Sequence, residues 1–465
     1  MKRIISFLKT DVKIINSYFL LLVILIILII LICVGYSSYA LFSFSKTSIN
    51  VIEGTVGELK KNIDTSGANA PVLASNMIPV YYDVTTETWK KADTNNKNSN
   101  YQWYSYESSG DKKGMWANAV TVTETNRTMY LNAEPGTIIP MDDINTMWVW
   151  VPRFNAVTPS NYNGGTKTKP NAIDVTFVKQ NETAIDAFTF GTKSLSGFWY
   201  GKFEIGGTLA SSCTNETCNV SNIVLKPNVS SLRGQTISDF FFASRSMEQS
   251  NNIFGFVSTE VDTHMSKNNE WGAVAYLTQS IYGRCTSSTT CTEVGINNNS
   301  SFITGYGAPA GSGTSVTNGK YDTDLGKDAS TTGTIYGIYD MSGGTYEYVM
   351  GVLADPNGKP RSGGNSSNSG FTGMLSDGTI YTGIAFPDSK YYNLYTDNSS
   401  YIGHALTETA NWYENAYSFI NSERPWIIRG GLFATENNSG IFSIAPYGFN
   451  DFAPLFGSRF VITNE

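Results

Sequence analysis

The most informative stretch of the chain reads GIYDMSGGTYEYV at residues 337–349. Apolar and aromatic residues lead into a Ser-Gly-Gly triplet and resume after it. This triplet predicts a turn, because glycine adopts positive φ at little steric cost. Glu347 stands between two tyrosines, so we expect its carboxylate to be buried and therefore paired or hydrogen-bonded. Two interpretations are open: a structural carboxylate held by the backbone of the turn, or a ligand of a bound calcium ion.

This stretch resembles the G-(V/L)-Y-D-M-x-G-N-V-x-E-W core of the formylglycine-generating enzyme (sulfatase-modifying factor) family. Four further stretches agree with family motifs, in the family's order: GFWYGKFEI at 197–205, NEWGAVAYLTQSIYG at 269–283, RGG at 429–431 and GSRF at 457–460. The resemblance implies an α+β fold with a C-type-lectin-like, formylglycine-generating enzyme-type domain at 146–465. It also gives structural roles to Arg429, Gly430, Gly431, Gly457 and Arg459.

The chain departs from the catalytic members of this family in two places. In those members two cysteines after the R-G-G strand bind copper, but here residues 432–448 read LFATENNSGIFSIAPYG and contain no cysteine. Gly344 stands where the family has an Asn that is a calcium ligand. The resemblance therefore implies a non-catalytic member with no catalytic residues, and a formylglycine-type oxidase is the least favoured reading. We further hypothesise that Arg429 pairs with Glu347.

Composition indicates a strand-rich and loop-rich protein with an acidic surface. The 465 residues include 27 Tyr, 25 Phe and 43 Gly, and only 15% are charged. Low charge with many aromatic and glycine residues is atypical of a helical protein. The net charge of −7 argues against a nucleic-acid partner, which needs a basic surface.

Residues 18–36, YFLLLVILIILIILICVGY, are long enough to cross a hydrocarbon core of roughly 30 Å as a helix. A basic flank at 1–17 precedes them, which predicts a cytoplasmic tail, a single-pass transmembrane signal anchor and an extracellular C-terminal part. The alternative is a signal peptide cut after Ala40, followed by secretion. Residues 37–75 are predicted to be a stalk or linker, and 37–59 resemble the start of secreted fibre proteins of Gram-positive bacteria.

Four cysteines form two local pairs, Cys213 with Cys218 and Cys285 with Cys291. Short loops of this kind predict disulfides in an oxidising compartment. Free thiols and a zinc site remain as alternatives, the latter disfavoured because His264 and His404 have no ligand spacing. We expect His264 to be a structural residue in a loop that leads into a helix.

Residues 76–145 predict a small β module with strands at 77–84 and 115–122. We expect its tryptophans to lie in the core, and the alternative is a surface on which sugars stack. In the following domain we predict strands at 147–154 and 198–205. Two helices are expected there, one at 238–249 with Ser238 as N-cap and one centred on 270–280.

Residues 432–456 have the composition of a recognition loop, in which aromatic side chains give contact area and Asn and Ser give adaptable hydrogen bonds. The predicted ligand-binding residues are Phe433, Asn437, Asn438, Phe442, Tyr447, Phe449, Asn450, Asp451 and Phe452. The alternative is that these aromatic residues pack on the domain.

We therefore expect a non-catalytic cell-surface recognition or adhesion protein that binds a protein or glycan ligand. The alternative is a structural subunit of a surface fibre or pilus-like assembly. The segment 432–456 also lies where the variable proteins of diversity-generating retroelements, which share this C-type-lectin-like subfamily, carry their diversified loops.

Overall fold

A computed structural model of the chain describes residues 68–98, 100–313, 319–361, 370–374, 380–448 and 454–464. These residues form a mixed α+β structure in which strands predominate. The predicted cytoplasmic tail, the apolar run at 18–36, the cleavage position at Ala40 and most of the predicted stalk lie outside the described residues. None of the helices in the described ranges is both long and apolar enough to cross a lipid bilayer.

The α-helices of the described ranges are short. They are, in chain order, α1 Glu124–Asn132, α2 Ile237–Ser246, α3 Asn268–Thr278 and α4 Asp324–Asp328.

The strands of the first half are β1 Ile78–Asp83, β2 Thr88–Lys91, β3 Asn118–Val122, β4 Ile144–Pro152, β5 Phe154–Ala156, β6 Val175–Phe177, β7 Thr189–Phe190, β8 Lys193–Ser194, β9 Gly197–Gly201, β10 Gly206–Gly207 and β11 Ile223–Val224. Those of the second half are β12 Val261–Met265, β13 Cys285–Ser287, β14 Thr290–Cys291, β15 Tyr346–Leu353, β16 Gly370–Met374, β17 Ile380–Ala385, β18 Asn393–Tyr395, β19 Trp426–Gly430, β20 Gly440–Tyr447, β21 Phe456–Ser458 and β22 Phe460–Asn464.

A seven-stranded antiparallel sheet has the order β12-β22-β9-β4-β3-β1-β2. Its central strand β4 is buried on both faces, since neighbouring residues such as Trp150 and Val151 are both inaccessible. Trp150 is the cross-strand partner of Trp199 in β9, and their rings meet at 5.2 Å. The predicted strands at 147–154 and 198–205 are thus present, with β4 starting earlier and β9 ending at Gly201.

The strands of the predicted β module at 76–145 belong to this same sheet. β3 is hydrogen-bonded to β4, with Val120 opposite Met147. Both residues share one apolar cluster with Phe203 and Tyr339, which lie far along the chain. The sheet is therefore continuous across the predicted boundary at 145/146.

A second sheet has the order β18-β15-β19-β20, and β21 runs parallel to β15 along part of its length. The predicted turn precedes strand β15 and is confirmed: Gly343 and Gly344 have φ of 77° and 66°. A Cβ at Gly344 would collide with the carboxylate of Glu204, so this position requires glycine for space as well as for conformation.

A buried ion pair joins the C-terminus to this sheet. The guanidinium of Arg459 donates to both carboxylate oxygens of Glu347 at 2.6 and 3.1 Å, and both side chains are buried. Arg459 also donates to the backbone oxygens of Gly201, at 2.8 Å, and Tyr339, at 2.9 Å. One side chain thereby connects β9, β15 and the strand that ends the described chain.

The hypothesis that Glu347 pairs with Arg429 was wrong. The two residues are opposite each other in the β15–β19 register, but β21 lies on the other side of β15 with Gly457 opposite Glu347. The chain then brings Arg459 to the carboxylate. Arg429 instead donates to Asn268 Oδ1 at 2.8 Å and to the backbone oxygen of His404 at 2.7 Å.

The helix predicted at 238–249 begins one residue earlier, and its N-cap is Thr236, not Ser238. Thr236 Oγ1 accepts from the backbone N–H of Asp239 at 3.1 Å, and the Asp239 carboxylate accepts from the backbone N–H of Thr236 at 3.1 Å. This reciprocal capping box satisfies two N-terminal donors, which Ser238, buried inside the first turn, does not do. The helix predicted around 270–280 is confirmed as α3.

Both predicted disulfides are formed. Cys213 bonds Cys218 and Cys285 bonds Cys291, each closing a local loop. In this part of the chain, therefore, all four cysteines are oxidised and none is a metal ligand.

The Glu347→Gln variant tests the ion pair. It leaves the Arg459 cation buried without its counter-charge, so we expect the free energy of unfolding to fall by about 3–5 kcal/mol, measured by urea denaturation of the purified chain. Lys90→Gln removes a more exposed pair with Asp83, which solvent screens, and should therefore cost much less. A Glu347→Gln variant as stable as Lys90→Gln would contradict the central role of the pair.

Candidate recognition face

The loop at 432–438 is anchored on the turn of the most informative stretch. After β19, Gly430 and Gly431 take φ of 82° and 79° and reverse the chain. The backbone N–H of Phe433 then donates to the backbone oxygen of Gly344 at 3.0 Å. The Gly-Gly turn thus fixes where the predicted binding loop begins.

Phe433 is half-buried, and its ring meets the ring of Phe302 edge-on at 4.9 Å. Phe302 is itself buried and has φ of 56°, which is unusual for a bulky side chain. Its backbone is held by Asn299 O, which accepts from Phe302 N–H at 2.9 Å, and by Ser231 N–H, which donates to Phe302 O at 2.9 Å. Strained residues of this kind cluster at functional sites.

Arg233 stacks on the Phe302 ring of this aromatic pair. Its guanidinium carbon lies 3.8 Å from the centroid of the Phe302 ring, and Nη1 donates to the backbone oxygen of Pro454 at 3.0 Å. We define the recognition face as Arg233, the turn at 299–302, the loop at 432–438 and the adjoining residues 454–455. Sequence reasoning missed Arg233 and Phe302, because they are brought together by long-range contacts such as the pairing of Ser230 with Ile303, which have no local sequence signal.

The predicted ligand-binding residues divide into three groups. Asn437 and Asn438 are exposed in a short 3-10 helix of this face, next to Phe433 in the loop, and their binding role stays a prediction. Phe449, Asn450, Asp451 and Phe452 lie outside the described residues. Phe442 and Tyr447 lie in a strand.

The expectation of a continuous exposed loop at 432–456 was therefore wrong for its middle part. Residues 440–447 form β20 and pair with β19. Phe442 is fully buried and packs against Trp412 at 5.2 Å, so it belongs to the core. Tyr447 is partly buried, with its ring 4.4 Å from Phe456 and 5.8 Å from Tyr348.

A group of buried carboxyls lies beneath the recognition face. Glu204 Oε1 accepts from the backbone N–H of Thr345 at 2.8 Å, and Oε2 lies within hydrogen-bond distance of Ser231 Oγ. Burial, together with the charges of Asp340 and Glu347, raises the pKa of Glu204 well above its ordinary value. A neutral Glu204 can donate to Ser231 Oγ, which in turn donates to Phe302 O at 3.1 Å.

Asp340 completes this group with a different set of partners. It has φ of 63° and accepts from the backbone N–H of Gly305 at 2.9 Å and from Asn297 Nδ2 at 2.8 Å. Glu347 is paired with Arg459, and Asp340 accepts from the N–H groups just named. Both acids are therefore held by donors that the protein itself supplies. In the part of the chain that the structure describes, no three His, Cys, Asp or Glu side chains converge as metal ligands. The calcium hypothesis for Glu347 stays a prediction.

His264 lies in strand β12, not in the predicted loop. Its Nδ1 is 3.2 Å from Asp262 Oδ1 and its Nε2 is 3.0 Å from Glu270 Oε1, so only the imidazolium can donate to both. Burial lowers the pKa of His264, but the charge of Glu270 and the hydrogen bonds to both carboxylates outweigh it and raise the pKa. Asp262 also accepts from Arg245 at 2.8 Å and Lys390 at 2.9 Å.

His404 is held in a similar way by other partners. Its Nε2 is 2.7 Å from Asp186 Oδ2 and its Nδ1 is 2.7 Å from the hydroxyl of Tyr395. Each ring nitrogen of both histidines is therefore engaged by a carboxylate or a tyrosine, and none activates a Ser, Thr or Cys nucleophile. Both histidines act as links between elements of the fold.

The pH dependence of stability tests the charge of His264. Since its folded pKa lies above the ordinary value of about 6.5, the stability it contributes is complete below about pH 6.5 and is lost as the pH rises through the folded pKa. We expect the loss of unfolding free energy in His264→Gln to be largest near about pH 6 and to shrink toward about pH 9. Urea denaturation across this range measures it, with the exposed Lys169→Gln as control. A loss that stays constant or grows with pH would contradict an imidazolium.

Comparisons with known proteins add little to this description. No protein-family model matches the chain, and no curated protein does. Among solved structures, the chain is similar to the U1, P3c and I1 variants of Major Tropism Determinant, each 11% identical over 83% of this chain and 94% of that chain. The TM-scores are 0.25, 0.27 and 0.24, values at which the similarity carries no argument about fold or function.

Proposed function

We propose that this chain is a non-catalytic cell-surface recognition protein that binds a protein or glycan ligand through the recognition face. The observation that carries the proposal is the arrangement around Phe433. The half-buried ring of Phe433 packs on Phe302, on which Arg233 also stacks, and the exposed amides of Asn437 and Asn438 lie in the same loop as Phe433. Rigid aromatic anchors beside adaptable polar groups suit recognition.

The scaffold beneath the face supports a C-type-lectin-like fold of the formylglycine-generating enzyme type. The motifs that carry the resemblance are in contact with one another in the interior. Arg459 of the last motif binds Glu347 and the backbone of Gly201. Trp271 of the helix motif donates from Nε1 to the backbone oxygen of Ile441, in the strand that follows the R-G-G motif, at 2.8 Å. We infer that these motifs form the framework and the loops between them carry the function.

The cysteines support an exported, non-enzymatic protein. Two disulfides suit an oxidising environment outside the cytoplasm. The copper-binding thiols of the catalytic family would follow residue 431, where the sequence has none. We therefore place the recognition face outside the cell, whether the chain is anchored by residues 18–36 or cleaved.

Phe433→Ser tests the proposed face. Removing the aromatic anchor should weaken binding to any ligand found on an array of glycans and purified surface proteins by about thirtyfold, since central aromatic residues dominate interface energy. Val157→Ser, at a residue that is 62% exposed after β5, is the matched control and should leave affinity unchanged. A ligand whose affinity is the same for both variants would place its binding site elsewhere.

We further propose that the loop at 432–438 is diversified by a retroelement. Its side chains at 433, 434 and 436–438 are exposed or half-buried, whereas Phe442 is buried in the core. Sequencing the gene across many cells should find changes at adenines in the codons of the loop and a constant codon for Phe442. An invariant loop, with no reverse transcriptase and template repeat nearby, would reject diversification and leave a fixed binding face.

A further inference from the structure

Arg233 is held in one orientation on the recognition face. Its guanidinium stacks on the ring of Phe302, with the carbon 3.8 Å from the ring centroid, and Nη1 donates to Pro454 O at 3.0 Å. The side chain is half-buried, and the backbone oxygen of Arg233 accepts from Gln235 Nε2 at 3.2 Å. Little side-chain freedom remains to be lost when a ligand binds, which is the condition for a preorganised contact.

No described residue supplies a counter-charge to Arg233. Among the described residues, no Asp or Glu oxygen lies within 4 Å of its guanidinium, and Nη2 has no hydrogen-bond partner. Two buried arginines are paired with carboxylates, Arg245 with Glu248 and Asp262 and Arg459 with Glu347. Two others, Arg153 and Arg429, are enclosed and donate to amide or backbone oxygens, whereas Arg233 reaches the surface. An immobilised, unpaired guanidinium on the surface of a chain with a net charge of −7 is a cation available to an external anion.

The neighbouring groups indicate which anion fits. Phe433 offers a half-exposed aromatic ring that suits the apolar C–H face of a sugar, and Asn299, Asn437 and Asn438 offer amides that suit hydroxyl groups. The planar fork of arginine matches a carboxylate. A protein partner would need about 800 Å² of surface on each side. Among the residues of this face that the structure describes, the exposed apolar side chains are few: the half-buried Phe433 and Leu455, which is 40% exposed.

We propose that the recognition face binds an acidic sugar residue, a uronic or sialic acid, whose carboxylate accepts a hydrogen bond from Arg233 Nη2 while its ring packs on Phe433. This inference rests on the proposed function and narrows it to one ligand class. Arg233 then decides between acidic and neutral sugars, and Phe433 contributes affinity for both.

The test compares carboxylated oligosaccharides with their carboxyl-reduced counterparts on a glycan array: oligogalacturonate against oligogalactose, and sialyllactose against sialyllactose whose carboxyl is reduced to a primary alcohol. We expect the wild-type chain to bind at least one acidic glycan. We expect it to bind the neutral counterpart of that glycan at least about tenfold more weakly. Arg233→Gln should remove this difference, and Arg233→Lys should retain part of it, since lysine keeps the charge but not the fork. Lys169→Gln, an equal loss of charge at an exposed residue elsewhere, should change nothing.

Several outcomes would overturn the proposal. One is equal binding of acidic and reduced glycans, and another is no glycan binding at all. A third is an Arg233→Gln variant that keeps the wild-type preference and the wild-type thermal midpoint. A fourth is a preference for sulfated over carboxylated glycans. The proposed function fails separately. A neutral glycan or a protein whose binding is lost in Phe433→Ser but not in Arg233→Gln would reject the acidic sugar and keep the face. Ligands indifferent to Phe433→Ser would reject the face itself.

Discussion

The ion pair of Arg459 with Glu347 is the contact on which the rest of the structure depends. A guanidinium and a carboxylate are costly to bury, and the cost is offset only when geometry and additional hydrogen bonds are good. Here Arg459 reaches both oxygens of Glu347 and two backbone carbonyls, one in the seven-stranded sheet and one just before the Gly-Gly turn. The two sheets and the Gly-Gly turn between them are therefore fixed by the same side chain. The turn then accepts a hydrogen bond from the backbone N–H of Phe433.

A second buried contact carries this rigidity to the surface. Glu204 lies against Gly344 and Thr345 on one side and Ser231 on the other, and Ser231 holds the backbone of Phe302. A left-handed backbone at a phenylalanine costs of order 1–3 kcal/mol, and it persists only when its surroundings enforce it. In this protein the enforcing groups are the buried carboxyl and the pairing of residues 230 and 303. The result is a fixed ring on which Arg233 and Phe433 are both placed.

Features with a local signal in the sequence were predicted well, whereas contacts between distant parts of the chain were not. The Gly-Gly turn, helix α3 and the disulfides follow from glycine conformation, helical periodicity and cysteine spacing. Residues 440–447 were predicted to be an exposed loop because their composition was given more weight than their strand-like alternation. They form a strand in which Phe442 faces the core. The partner of Glu347 was misjudged because the parallel approach of β21 has no local sequence signal. Arg233 lies in no recognisable motif, because its position on the face depends on contact with a phenylalanine 69 positions later in the chain.

The loop at 432–438 is held by contacts that do not depend on most of its own side chains. Its anchoring hydrogen bonds come from backbone groups and from two small side chains: Phe433 N–H to Gly344 O, Leu432 N–H to Thr435 Oγ1 at 2.9 Å, and Ser439 Oγ to Leu432 O at 2.8 Å. None of these bonds uses the side chains at 433, 434 or 436–438. Substitution there changes the chemistry offered to a ligand while the backbone path stays the same, because that path is set by Gly430, Gly431 and the turn below. A surface built in this way can present different side chains while the hydrogen bonds that anchor it are kept.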